Sequence, residues 1–353
     1  MAPEKKIIHK TVLCFGELLL RMSPRINGEW INDNTIPTYV GGAELNVATA
    51  LAKWKIPSKY FTALPDHALS HELINYLKKK NIDASSVNLS GERIGIYFLP
   101  QGSDLKNSGV IYDRAHSSFS QLKPGMIDWN KTLKDVTWFH FSAINPALNL
   151  NVTALCLEAL EAASKKKITI SMDLNFRAKL WKYGKNPVDI MPQLASYCDL
   201  IMGNIWAAEK LLGISVDLKI LRKNSKKAYL EHALYTSEEI IKRFPKVKTV
   251  ANTFRFDRKG SAINYYATLY TENKLYVADE INATEIKDKI GSGDCFMSGL
   301  IYGFYKNNTP SKIVNFSAAA AVGKMYETSD ATNQSPAKIT ADVKRNTELK
   351  DKK

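Results

Sequence analysis

From residue 11 to about 254, short apolar runs rich in β-branched and aromatic residues alternate with segments whose apolar residues recur at helical spacing. Residues 11–20, 58–63, 138–142, 168–175, 199–204 and 247–254 read as strands, and 43–54, 67–80, 148–164 and 205–212 as helices. Strands this uniformly apolar must be buried on both faces, with the helices between them supplying the cover. The pattern therefore predicts an α/β fold of three layers, α/β/α, around a mostly parallel sheet. Residues 261–279 read as antiparallel ribbon, and 294–306 and 310–326 as two long helices. Residues 11–335 are expected to form a single domain.

Two segments break the alternation. Residues 20–40 and 93–114 have strand-like aromatic and aliphatic content and carry turn residues such as Asn27-Gly28 and Gly102-Ser103. Both leave core strands and return to the core, which suggests a small β-sheet lid over the edge of the sheet where α/β folds bind ligands. Residues 214–236 read as a surface insertion, and 336–353 as a charged, flexible tail.

Within the 353 residues no apolar run approaches the roughly 18 needed by a membrane helix, and the charged first ten residues lack a signal-type apolar stretch. The four cysteines, Cys14, Cys156, Cys198 and Cys295, form no paired motif, which fits reduced thiols in a cytoplasm and argues against a zinc or disulfide scaffold. The net charge of +14 comes from spread lysines, denser at 78–80, 165–167 and 219–227, with no interleaved aromatics. It reads as a solvated surface that attracts anionic substrates rather than as a nucleic-acid or membrane interface.

The chemistry-bearing string is Asp288-Lys289-Ile290-Gly291-Ser292-Gly293-Asp294, followed by Phe296, Leu300, Ile301 and Phe304 at helical spacing. Backbone N–H groups at a helix start lack intrahelical partners, and the glycines let an anion approach them closely. A carboxylate beside an anion cradle makes sense where it takes a proton from a hydroxyl that attacks phosphorus. Asp294 is the candidate base, and Gly291, Ser292 and Gly293 the candidate phosphate cradle. The alternative is a glycine-rich helix start capped by aspartate. A second glycine turn, Gly41-Gly42, precedes a helix carrying Asn46, a residue suited to a sugar hydroxyl.

A glycine pair with Asn46, a Gly-Ser-Gly-Asp turn and a lid between core strands resemble the ribokinase-like (PfkB) carbohydrate kinases over nearly the whole chain, about residues 14–333. The resemblance implies a kinase using ATP and Mg²⁺, with Asp294 deprotonating the acceptor and the 291–293 amides holding the migrating phosphoryl group. Within the family, residues 95–98, 111–115, 173–177 and the Asp288-Lys289-Ile290-Gly291 spelling resemble the 2-keto-3-deoxygluconate kinases. That implies a sugar-acid substrate phosphorylated at its terminal hydroxyl, contacted by Gly41, Gly42, Asn46, Tyr97, Tyr112, Arg114 and Arg177. The physics agrees, since paired guanidinium donors suit a carboxylate. The alternatives are ion pairs of Arg177 with Asp173 and of Arg114 with Asp113. The resemblance places the nucleotide near Asn204, Thr253, Arg255, Lys324 and Asn333, although Lys324 could equally cap its helix.

Two departures stand out. The family's Asn-x-x-Glu segment, whose glutamate helps organise magnesium, is Asn204-Ile205-Trp206-Ala207 here, leaving the metal ligands unassigned. The usual Gly-x-x-Gly near the nucleotide is Asn252-Thr253-Phe254-Arg255. A fructokinase or other sugar kinase and a silent sugar-acid-binding relative are the alternatives. A dinucleotide oxidoreductase fits poorly, because the first strand runs into Gly16-Glu17 and no glycine fingerprint follows. A homodimer or higher homo-oligomer is expected from the lid.

Overall fold

The computed structural model describes residues 10–25, 30–32, 34–100, 109–217, 219 and 225–351. The apolar runs become parallel strands, in spatial order β6 (Ile82–Asp83), β4 (Ser58–Phe61), β1 (Thr11–Phe15), β10 (Val136–Ser142), β11 (Thr169–Asp173), β12 (Leu200–Gly203) and β13 (Thr249–Asp257). The 261–279 ribbon continues the same sheet with antiparallel strands β14 (Ile263–Thr271), β15 (Lys274–Val277) and β16 (Ile281–Ala283). β12 is buried at every position, as a strand covered on both faces must be.

Two separate apolar layers show why. On one face, helices Ala43–Lys53, Ser292–Tyr305 and Pro310–Lys324 pack Leu45, Leu51, Phe296 and Leu300 against the sheet. On the other, helices Leu150–Lys165, Pro187–Ala195 and Ile205–Leu212 bury Leu155, Leu160, Leu194 and Leu211. The three-layer α/β/α expectation holds. The predicted strand at 11–20 is two: β1 stops at Phe15, and β2 (Leu19–Met22) joins a different sheet. A short pair, β5 (Ala63–Leu64) with β7 (Asn88–Leu89), completes the inventory of sheets among the described residues.

The lid is a four-stranded sheet in the order β3 (Thr38–Gly41), β2, β8 (Gly95–Phe98), β9 (Ile111–Asp113). The turns expected at Asn27-Gly28 and Gly102-Ser103 lie outside the described residues.

Two expectations need correction, and one helix was not foreseen. The described part of the segment read as a flexible tail is helix Pro336–Asp351; Ile339 is fully buried and Val343 packs on the core. The 214–236 stretch is only partly an insertion. Helix Lys226–Arg243 covers half of it, burying Tyr229 and Ala233 beside Phe254 and Tyr266. Helix Pro187–Ala195 escaped the periodicity, although Pro187 sits in its first turn, where a missing N–H costs nothing.

Helices Ser292–Tyr305 and Pro310–Lys324 approach closely through glycine. A Cβ on Gly299 would lie 2.6 Å from Ser317 Cα, and one on Gly303 2.8 Å from Ile313 Cγ1. Gly299→Val should therefore overpack this seam and cost about 1–3 kcal/mol, read as a lowered midpoint in chemical denaturation. An unchanged midpoint would mean that the two helices can part without loss.

Candidate active site

The parallel strands end at Phe15, Ser142, Asp173 and Gly203, and the cavity of about 800 Å³ opens beyond those ends, where α/β sheets bind ligands. Its floor is the glycine turn. Asp288 Oδ1 accepts the Ile290 N–H at 2.9 Å, bending the chain into the turn. Gly291 caps the helix at φ 72° with no side chain closing its N-terminus, and a Cβ there would overlap the Asp330 carbonyl. At Gly293 the space is open, the nearest atom to an added Cβ being Met202 Cε at 4.0 Å. The first-turn N–H groups of residues 291–293 thus lack helical partners and line the cavity.

Asp294 follows at once. Burial raises its pKa to about 6, while the Asn46 hydrogen bond and then Arg177 pull it down. Asn46 Nδ2 donates to Asp294 Oδ2 at 2.7 Å. Asn46 was expected to meet a sugar hydroxyl; its amide nitrogen is spent on Asp294, and its buried Oδ1 has no partner among the described residues. Gly42, φ 136°, starts the Asn46 helix, and a Cβ there would come within 2.5 Å of the Glu17 carbonyl oxygen.

The two arginines differ. Arg177 is half-buried on the cavity wall. Its one hydrogen bond among the described residues runs to the Phe176 carbonyl at 3.1 Å, and no ion pair with Asp173 forms. Arg114 also lines the cavity, but Nε donates to Glu17 Oε2 at 2.8 Å and Nη2 meets the same oxygen. Asp113 instead pairs with Arg93 at 2.8 Å. Arg114 is thus half of a buried ion pair with Glu17, whose partner lies 97 residues away. Tyr97 is buried with its hydroxyl donating to Asp330 Oδ2 at 3.1 Å, and Tyr112 lies beside it at 6.3 Å between ring centroids. Gly41 backs onto this group, since a Cβ there would fall 2.5 Å from Asp330 Oδ2.

Two acids were not assigned to the site from the sequence. Burial pushes the Asp173 carboxyl well above the usual range, with Asp294 adding to the effect, and Asp173 faces the cavity. Glu44, raised to about 7 by burial, accepts from the Ser142 N–H at 2.9 Å and Asn145 Nδ2 at 3.2 Å. An acidic residue two positions after the Gly41-Gly42 pair, in the first turn of a helix, was the available signal.

The far half of the cavity is walled by Asn204, Ala207, Thr253, Arg255 and Lys289. Asn204 Oδ1 caps its own helix by accepting from Ala207 N at 2.8 Å. Lys324 and Asn333 do not line the cavity. Lys324 is fully buried behind the turn, not an exposed helix cap, and exposed Asn333 gives its N–H to the Glu327 carboxylate. Glu209 does not replace the missing glutamate, because it accepts from Val216 N. No group of three or more His, Cys, Asp or Glu side chains among the described residues could grip a metal. Beside the Asp294 base, the cavity-facing Asp173 fits a Mg²⁺ ion that keeps its waters and leans on substrate phosphates.

Residues 9–336 match the model of the pfkB family carbohydrate kinases. A solved 2-dehydro-3-deoxygluconokinase from Thermotoga maritima superposes with a TM-score of 0.85 at 32% identity, covering 95% of this chain and all of that one. A 2-dehydro-3-deoxygalactonokinase from Haloferax volcanii is 26% identical over 317 residues, 89% of this chain and 90% of that protein. An E. coli protein of the ribokinase II type, solved with ATP and Mg²⁺, shares the fold at a TM-score of 0.73 and 17% identity, covering 95% of this chain and 99% of that one.

Since the Asn46 hydrogen bond holds the Asp294 pKa down, Asn46→Ala should raise it. A charge-assisted bond of about 1.5 kcal/mol corresponds to roughly one pH unit. The carboxyl titration followed by NMR should move to higher pH by about that amount, and an unmoved titration would show that this bond does not tune the acid.

Proposed function

This chain belongs to the pfkB carbohydrate kinase family, and we propose that it transfers the γ-phosphoryl group of ATP to the terminal hydroxyl of 2-keto-3-deoxygluconate, forming 2-keto-3-deoxy-6-phosphogluconate. The observation that carries the reading is Arg177, a guanidinium in no ion pair among the described residues, on the wall of the cavity that also holds Asp294 and the 291–293 turn. A sugar acid supplies the carboxylate that such a guanidinium grips through two N–H donors. The T. maritima relative is named for the same compound, called there 2-dehydro-3-deoxygluconate, and the H. volcanii relative for a stereoisomer. Both support a sugar acid over a neutral hexose.

In this mechanism the lid tyrosine Tyr112 covers the sugar chain, and Arg177 holds the carboxylate end so that the other end points at Asp294. Asp294, oriented by Asn46, takes the proton from the terminal hydroxyl. The oxygen attacks the γ-phosphorus in line, ADP leaves, and the N–H groups of Gly291, Ser292 and Gly293 hold the charge spread over the equatorial oxygens. Mg²⁺ supplies neutralisation of the β- and γ-phosphate charge. Thr253 and Arg255 face the nucleotide side. Arg114 serves the site by keeping Glu17 neutralised beside it.

Several outcomes follow from these roles. Asp294→Asn should lower kcat by at least about 100-fold. In the parent enzyme kcat/KM should be level above about pH 6 and fall tenfold per unit below it, because the base must be ionised and its pKa is raised to about 6. Arg177→Ala should lower kcat/KM for the keto-acid by about 10- to 100-fold and leave the poor turnover of fructose or ribose unchanged, with Arg177→Lys intermediate. Equal losses on acid and neutral sugar would refute the carboxylate role. Arg114→Ala should act differently, lowering stability by about 3–5 kcal/mol through the stranded Glu17 carboxylate and harming all substrates alike.

A further inference from the structure

Lys324 ends helix Pro310–Lys324 and is fully buried. Its Nζ donates one hydrogen bond among the described residues, to the Glu327 carbonyl at 3.3 Å, though an ammonium has three donors. Its stem lies against the back of the glycine turn, with Cε 3.4 Å from where a Gly291 Cβ would stand. Burial lowers its pKa, and Asp288, Asp330, Cys295 and Glu327 oppose that shift. Asp288 and Asp330 also engage Arg21, at 3.4 and 2.7 Å, so two cations and two carboxylates share a dry pocket behind the turn.

We propose that Lys324 is a positioning residue for phosphoryl transfer, its ammonium a fixed positive charge directly behind the 291–293 amides that holds the turn in its binding shape and biases it toward an incoming anion. A purely structural lysine here would be hard to justify. Ionised groups are costly to bury, and a methionine would fill the same volume without that cost. A charge placed behind amide donors in a water-poor site acts at full strength when negative charge grows on the transferring group, and needs no reorganisation at that moment. The same ammonium lowers the pKa of Asp294, so one side chain favours both the ionised base and the bound phosphoryl group. This inference rests on the reading of the 291–293 turn as the phosphoryl site.

Lys324→Met in the full chain tests it. We expect a folded enzyme with kcat lowered by about 10- to 100-fold, the scale of losing one preorganised electrostatic contact, and with KM for ATP and for the keto-acid nearly unchanged. In Lys324→Ala, added ammonium ion should restore part of the turnover by entering the vacated space, while tetramethylammonium, too large for it, should not. A folded Lys324→Met enzyme with parental kcat, a loss confined to KM, or an alanine variant indifferent to ammonium would overturn the proposal. If the methionine variant does not fold, the charge-balanced pair Lys324→Met with Asp330→Asn carries the same kcat and KM criteria. Gly293→Val separates the two levels. Retained turnover there would sink the reading of the turn itself, whereas lost turnover with an unaffected Lys324→Met would sink only the role of the lysine.

Discussion

The ion cluster of Arg21, Asp288, Asp330 and Lys324 joins three parts of the chain that nothing else brings together so tightly. Arg21 is on lid strand β2, is 1% exposed, and lies over the Tyr39 ring at 4.2 Å. Its guanidinium also donates to the Thr328 carbonyl at 3.1 Å. Asp288 shapes the glycine turn, and Asp330 sits where its carbonyl occupies the space that any side chain at Gly291 would need. In a dry interior each charge tolerates burial only while its partners stay, and removing one strands the rest. The lid root, the turn and the loop after the last core helix are therefore held in one geometry.

The chemistry inherits its precision from that cluster. Tyr97 is tied to the Asp330 carboxylate, so the lid wall of the cavity is referenced to the same residue whose carbonyl braces the turn. Asp294 begins the helix that the turn starts, and Asn46 locks its carboxylate from the opposite side. Below these, Glu17 and Arg114 form a second buried pair linking the end of β1 to the end of β9. Little in this half of the site is left to find its place upon binding. The half of the cavity around Asn204, Ala207 and Thr253 is plainer.

Legibility in the sequence divides by range. The parallel core was readable because strands buried on both faces are apolar throughout, and the glycine turn because small residues followed by an acid at a helix start leave few structural alternatives. The lid was readable as an interruption of the alternation. What could not be read were partners. Arg114 had one acid within sequence reach, Asp113 next door, and the partner is Glu17, 97 residues away. Lys324 looked like a helix cap because position on a helix says nothing about what lies behind it. Helix Pro336–Asp351 was hidden by composition, since its buried stripe is little more than Ile339 and Val343 among charged residues. Asn46 was read as meeting a sugar hydroxyl, and its amide nitrogen donates to Asp294.

The separation of these partners along the chain has a bearing on synthesis. Asn46 and Asp294 are 248 residues apart, and Arg21 and Asp288 are 267 apart. Closing loops of that length carries an entropic cost that local contacts do not repay. A chain emerging from its N-terminus can assemble the parallel sheet through β12 with its covering helices while neither the turn nor the cluster behind it exists yet. The site is consequently completed only once the residues around Asp294 and Asp330 have been made. Any cut that removes the loop around Asp330 would leave a well-packed sheet whose lid strand carries a buried arginine stripped of the nearer of its two carboxylates.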